Sequence, residues 1–175
     1  TYLETFMIYE LTIPQFIKTL KNLDSMLDKA ASYADSKKFE MSVLLESRLA
    51  PDQFPLTRQI QIVCDTAKLG ASRLSGKVAP VQDDSEKTLA EIKARIASTI
   101  AYLQSMKIED YKNAATTVIT TPRWEGKSLT GEQYTIHHVI PNFYFHVTTA
   151  YSILRHNGVE VGKKDFLGEM PYKLP

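Results

Sequence analysis

An all-α, up-and-down four-helix bundle, with a small β-hairpin or extended segment ahead of its last helix, is the fold this sequence predicts. Three observations carry it. Apolar residues recur at helical spacing in four long stretches, those stretches carry start or stop signals, and the one threonine-rich segment falls between the third and the fourth. At 175 residues, 43% of them hydrophobic, with no internal repeat, low-complexity tract or linker, residues 1–175 read as one domain with a substantial core.

The first helix spans about Thr5 to Ala34 on the stripe Phe16, Leu20, Leu23, Met26, Leu27 and Ala30. Thr12 ahead of Pro14 reads as a restart after a break or kink. Asp35 to Lys38 is a polar connection, and a short helix follows over Met41 to Ser47. Asp52 as a cap, with Pro55 in the first turn, opens a second long helix that runs to Ser75 and is stopped by Gly76. Its apolar face is Leu56, Ile60, Val63, Ala67, Ala71 and Leu74. Arg58, Gln61, Asp65, Lys68 and Ser72 form a polar row. Periodicity favours an exposed face laced by weak pairs such as Asp65–Lys68; a functional role would turn Gln61 and Asp65 toward the last helix.

Lys77 to Asp84 reads as a loop, and Asp84 or Ser85 caps a third helix from Glu86 to about Met106. Its stripe is Leu89, Ile92, Ile96, Ile100 and Leu103. The stretch ATTVITTPRWEGKSL favours extended structure, and Glu125-Gly126 marks a turn, so a small hairpin links the third and fourth helices. The tail VEVGKKDFLGEMPYKLP is too polar and proline-rich for another helix, with Phe166 and Leu167 pinning it to the bundle.

The last helix occupies Thr130 to Gly158. Thr130 with Gln133 makes a capping box, Arg155 and His156 sit at the negative end of the dipole, and Gly158 closes it. Pro141 predicts a kink near His137 and His138, where a carbonyl loses its partner. His138, Asn142 and His146 are four apart and share one face. About 12 Å of helix rise separates His138 from His146, too far for both to bind one metal ion.

Formal charge is +1, from 21 Lys+Arg against 20 Asp+Glu, and no basic block stands out; nucleic acid is not the expected partner. No run approaches the roughly eighteen apolar residues of a membrane span, and no signal peptide is read in these residues, although a chain beginning at Thr1 leaves a removed leader open. The single cysteine, Cys64, fits a reducing cytoplasm and reads as a buried small hydrophobe rather than a nucleophile. There is no glycine-rich phosphate loop, serine nucleophile elbow, Cys-x-x-Cys pair or His-Glu-x-x-His motif. Adjacent His137 and His138 point about 100° apart around the helix and cannot serve one site equally.

Four long helices, a hairpin before the last and histidines on that last helix resemble the DinB/YfiT superfamily, and more closely one domain-of-unknown-function branch of it. The carrying segments are RLAPDQFPLTRQIQIVCDTAK, from Arg48 to Lys68, and PNFYFHVTTAYSILRHNGVEVGKKDFLG, from Pro141 to Gly168. The resemblance covers essentially the whole chain and implies an up-and-down four-helix bundle, often dimeric. In better-known members one histidine from helix two and a His-x-x-x-His pair on helix four hold a metal, and some are thiol-dependent transferases or isomerases. This chain reads Asn142-x-x-x-His146 on helix four and has no histidine on helix two, so Gln61 or Asp65 would have to stand in.

The leading expectation is a cytoplasmic, homodimeric bundle that binds a small molecule in a polar pocket between helices two and four, through His146, Asn142, His138, Asp65, Gln61 and Arg58. Two alternatives stand beside it. One is a metal-dependent transferase or hydrolase with His146 and Asp65 as zinc or nickel ligands and His138 as base. The other is a non-catalytic dimeric structural protein. No cofactor is expected under the leading reading, because two strong ligands and a neutral amide hold zinc or nickel only loosely.

Overall fold

The computed structural model describes residues 2–174. Helix α1 (Tyr2–Lys37) is a single helix that runs through Pro14 without the break expected at Thr12; the Thr12 hydroxyl instead donates to the Ile8 carbonyl at 2.6 Å, inside the helix. A short α2 (Met41–Leu45) follows, then α3 (Leu56–Ser75). Asp52 is not the cap of α3. Pro55 holds that position, and the Ser47 carbonyl accepts the Leu56 N–H at 2.9 Å, so the turn after α2 does the work of a capping side chain. Gly76 closes α3 at φ 77°, as its stop signal predicts.

Helix α4 (Leu89–Gln104) begins later than the sequence suggests. Thr88 caps it, in a reciprocal box with Glu91, rather than Asp84 or Ser85. The earlier carboxylates are drawn off into contacts with the bundle described below. The hairpin is present: β1 (Val118–Ile119) pairs antiparallel with β2 (Leu129–Thr130), and Glu125 and Gly126 turn at φ 52° and 86°. Thr130 caps α5 (Gly131–Tyr134) with Gln133, as its box predicts. A Cβ on Gly131 would lie 1.7 Å from the Ala114 carbonyl oxygen, so this corner admits only glycine.

The helix then widens into a π turn over Thr135–Val139, closed by the Ile140 N–H on the Thr135 carbonyl, before α6 (Ile140–His156). The disturbance falls where Pro141 points, and it takes the form of an extra residue in the turn. The tail differs from expectation. A one-turn helix α7 (Lys163–Leu167) forms after Gly162, with Asp165 accepting from the Gly162 N–H at 2.8 Å. Phe166 meets the edge of Tyr151 at 6.0 Å, whereas Leu167 faces solvent.

The all-α four-helix bundle is therefore α1, α3, α4 and the α5–α6 continuum, with a twist in direction. Gln59 meets His146, Thr66 meets Asn142 and Arg73 meets Tyr134, so α3 runs antiparallel to α6. Asp65 meets Arg95, while Ser72 and Tyr102 both reach the Lys77 carbonyl, so α3 and α4 run parallel. Strict alternation fails here because the connection 77–88 is long. At about 3.3 Å per residue it spans roughly 40 Å, enough to climb back along a helix of about 30 Å. A core of Phe16, Leu20, Leu23, Leu27, Ile60, Val63, Ile96, Phe143 and Val147, all essentially inaccessible, fills the centre. Among the described residues no helix is long and apolar enough to cross a membrane.

Candidate functional site

Helix α3 lies between two partners, and each of its flanks carries a different polar chemistry. On the α6 side its backbone comes close, because a Cβ on Gly70 would sit 2.9 Å from a methyl of Val139. Next to that contact Asn142 donates to the Thr66 hydroxyl at 2.8 Å. One turn farther along, His146 Nδ1 lies 2.6 Å from Gln59 Oε1, with both residues buried.

That bond fixes a tautomer. The Gln59 amide nitrogen donates to the Phe54 carbonyl at 3.0 Å, so its oxygen is the end that faces the imidazole. An amide oxygen only accepts; Nδ1 must therefore carry the proton and Nε2 the lone pair. Burial, and then the charge of Arg58, hold the His146 pKa below its ordinary value, so the ring is neutral at pH 7. Among the described residues Nε2 meets no hydrogen-bond partner, and it is not wholly sealed from solvent. The result is an unpaired acceptor nitrogen in the seam, on a residue that is 9% exposed. Phe145, 60% exposed, presents its ring at 88° to the imidazole and 5.0 Å away, and exposed Phe54 carries Arg58 over its face.

His138 belongs to a different cluster lower on the same helix. It stacks on Tyr134 at 5.4 Å and meets the edge of Trp124 at 6.0 Å, while Arg73 donates to the Tyr134 hydroxyl at 2.7 Å. Burial, and then the Arg73 charge, lower the His138 pKa too. His137 and His156 are exposed.

The opposite flank of α3 carries the polar row. It is neither solvated nor turned toward α6; the segment 77–88 covers it. Arg58 pairs with Asp84 at 2.5 Å and donates to Gln61 at 3.2 Å; Gln61 donates to Glu86 at 2.9 Å; Lys68 reaches Gln82 at 3.0 Å and Asp65 at 3.3 Å. The hub is Arg95 of α4, which bonds Asp65 at 2.7 Å, Glu86 at 2.9 Å and Asp84 at 3.0 Å. Burial opposes ionisation of Glu86, but bonds from Arg95, its own backbone and Gln61 outweigh it and hold the carboxyl below the usual range.

The six residues singled out from sequence therefore do not converge. His146 and Asn142 face α3, and Arg58 borders His146 closely enough to bear on its charge. Gln61 and Asp65 belong to the α4 flank, and His138 to the Tyr134 cluster. Asp65 is engaged by Lys68 and Arg95, so it does not join His146 as a metal ligand. The donor set that does meet at the seam is one imidazole and two neutral amides, with Gln59 Oε1 already committed to Nδ1, and that set does not fit zinc or nickel. Among the described residues no group of three or more His, Cys, Asp or Glu gathers as metal ligands would. Cys64 is buried, which pushes its thiol up to about 12.

Two residues that matter were passed over in sequence. Gln59, 3% exposed, is the partner of His146, and its signal is a polar residue set inside the apolar run Leu56–Gln59–Ile60–Val63. Arg95 similarly interrupts the stripe Ile92–Arg95–Ile96.

The family described as "Domain of unknown function (DUF1993)" matches residues 8–167. The crystal structure of a DinB family member protein from Shewanella denitrificans, at 1.83 Å resolution, is 59% identical and superposes with a TM-score of 0.97, covering 100% of this chain and 99% of that one. No curated protein matches the chain.

Proposed function

The chain belongs to the DUF1993 family and shares the DinB-like fold of its Shewanella neighbour, and from that premise we propose that it binds a small molecule at the α3–α6 seam, without a resident metal. The observation that carries this reading is the relay from the Phe54 carbonyl through Gln59 to His146, which leaves Nε2 a neutral acceptor on a ring packed against the exposed Phe145. An acceptor nitrogen with an exposed phenyl ring beside it suits a ligand that joins a hydroxyl or N–H donor to a ring. Nothing in this arrangement asks for a covalent step.

The test uses phenol and benzamide as probes, with toluene as a ligand lacking the donor. Protein labelled with 15N-histidine is titrated and the His146 ring shifts followed. Phenol or benzamide should perturb Nε2 and toluene should leave it unmoved, with binding lost in His146→Phe. Equal response to toluene, or no response to either donor, counts against it.

Self-association is the second reading, favoured by the stripe Leu3, Met7 and Leu11, exposed at spacings of four on α1. Light scattering of the wild type and of Met7→Lys decides it: a dimer that Met7→Lys dissociates supports a homodimer, and a monomeric wild type opposes it.

A further inference from the structure

The segment 77–88 is pinned at both ends and held in between by polar contacts. At its start the hydroxyls of Ser72 and Tyr102 both donate to the Lys77 carbonyl, at 2.6 and 3.2 Å, and Lys77 pairs with Asp110. At its end stands the Thr88–Glu91 box. Between them the chain forms no helix or strand, and Val78 and Val81 are 91% and 92% exposed, so neither valine anchors it. What ties it down is the set of contacts from Gln82, the Asp83 carbonyl, Asp84 and Glu86 to Arg58, Gln61, Lys68 and Arg95.

Take that strap away and the surface left between α3 and α4 has an imbalance. Arg58, Lys68 and Arg95 face one bundle carboxylate, Asp65. The Arg95 side chain is only 1% exposed, and its Nε is buried without a partner. A guanidinium at that depth needs anions around it. Asp84 and Glu86 supply them, one on each terminal nitrogen, with Arg58 and Gln61 gripping them from the other side.

We propose that the α3–α4 cleft is a binding site for a compact dianion, a dicarboxylate or a phosphate, and that the strap carboxylates Asp84 and Glu86 occupy it as an internal competitor. A ligand carrying both charges replaces the pair without leaving Arg95 uncompensated, and the pinned ends let the middle of the strap lift away. This site is on the α4 flank of α3 and reaches the His146 seam only through the charge of Arg58.

Calorimetric titrations with pyrophosphate and with succinate, in chloride at constant ionic strength, test the idea on wild type and on Asp84→Asn/Glu86→Gln. Removing the competitor should tighten one of the two probes by about tenfold or more. Adding Arg58→Met, at a half-exposed position, should abolish the gain. Which probe gains separates a phosphate site from a dicarboxylate site. No gain for either probe, or a gain that survives Arg58→Met, overturns the proposal. Should the double variant not fold, amide shifts in wild type decide: saturating pyrophosphate or succinate must move residues 82–86 and spare the hairpin, and an unmoved strap overturns it.

Discussion

Replacing Gln59 with leucine removes the one residue that holds both ends of the His146 relay. The imidazole Nδ1–H loses its acceptor at 2.6 Å in a buried position, and the Phe54 carbonyl loses its donor at 3.0 Å. An unsatisfied buried donor costs about 1–3 kcal/mol. The carbonyl belongs to an exposed residue, so water replaces its partner at little cost. Leucine returns up to ~1 kcal/mol of apolar burial. Set against a mid-range cost of about 2 kcal/mol, that leaves a net loss of about 1–2 kcal/mol, which for a chain of this length lowers the melting temperature by roughly 2–8 °C. Urea and thermal melts of wild type and Gln59→Leu measure it. A companion variant checks the cause: Gln59→Glu places a carboxylate on Nδ1 and should raise the His146 pKa. A Gln59→Leu protein within about 0.5 kcal/mol of wild type would refute the reasoning, because the relay would then carry no energy.

Other expectations follow from the same geometry. His138 and His146 both have lowered pKa values, so their neutral forms favour the fold; that stability is complete above the ordinary value of 6.5 and is lost as pH falls through it. Melting should therefore be lower at about pH 5.5 than at about pH 7.5, and a flat or inverted trend would contradict the burial of both rings. Gly70→Ala pushes a methyl to 2.9 Å from Val139 and should cost about 1–3 kcal/mol in denaturant melts, with neutrality implying a looser α3–α6 seam. Cys64, with its thiol pushed up to about 12 by burial, should resist alkylation under native conditions and react once the chain is unfolded.

Much of the fold could be read from periodicity, because the core stripes of α1, α3, α4 and α6 each repeat at helical spacing over several turns. The boundaries were less legible where a partner distant in sequence replaced a local cap. Ser47 rather than Asp52 satisfies the start of α3, and Asp84 is spent on Arg58 and Arg95 instead of capping α4. The direction of α4 was also hidden, since a loop of that length permits either a parallel or an antiparallel return. At the seam, spacing of four placed Asn142 and His146 on one face, but it could not say which residue of α3 stood opposite. The polar row of α3 drew attention by its length, whereas Gln59 was camouflaged by the leucine, isoleucine and valine around it. A buried amide inside an apolar stripe needs a partner, and that rule, applied to Gln59 and to Arg95, would have pointed at both polar flanks.

Ligand binding at the α3–α6 seam turns on His146 presenting a lone pair at Nε2. A long-range 1H–15N correlation spectrum of 15N-histidine-labelled protein at about pH 7.5 reports the protonation of each ring nitrogen directly. The prediction is a neutral His146 ring protonated at Nδ1 and bare at Nε2, turning disordered between tautomers in Gln59→Leu. An Nε2–H tautomer or an imidazolium in the wild type would contradict it.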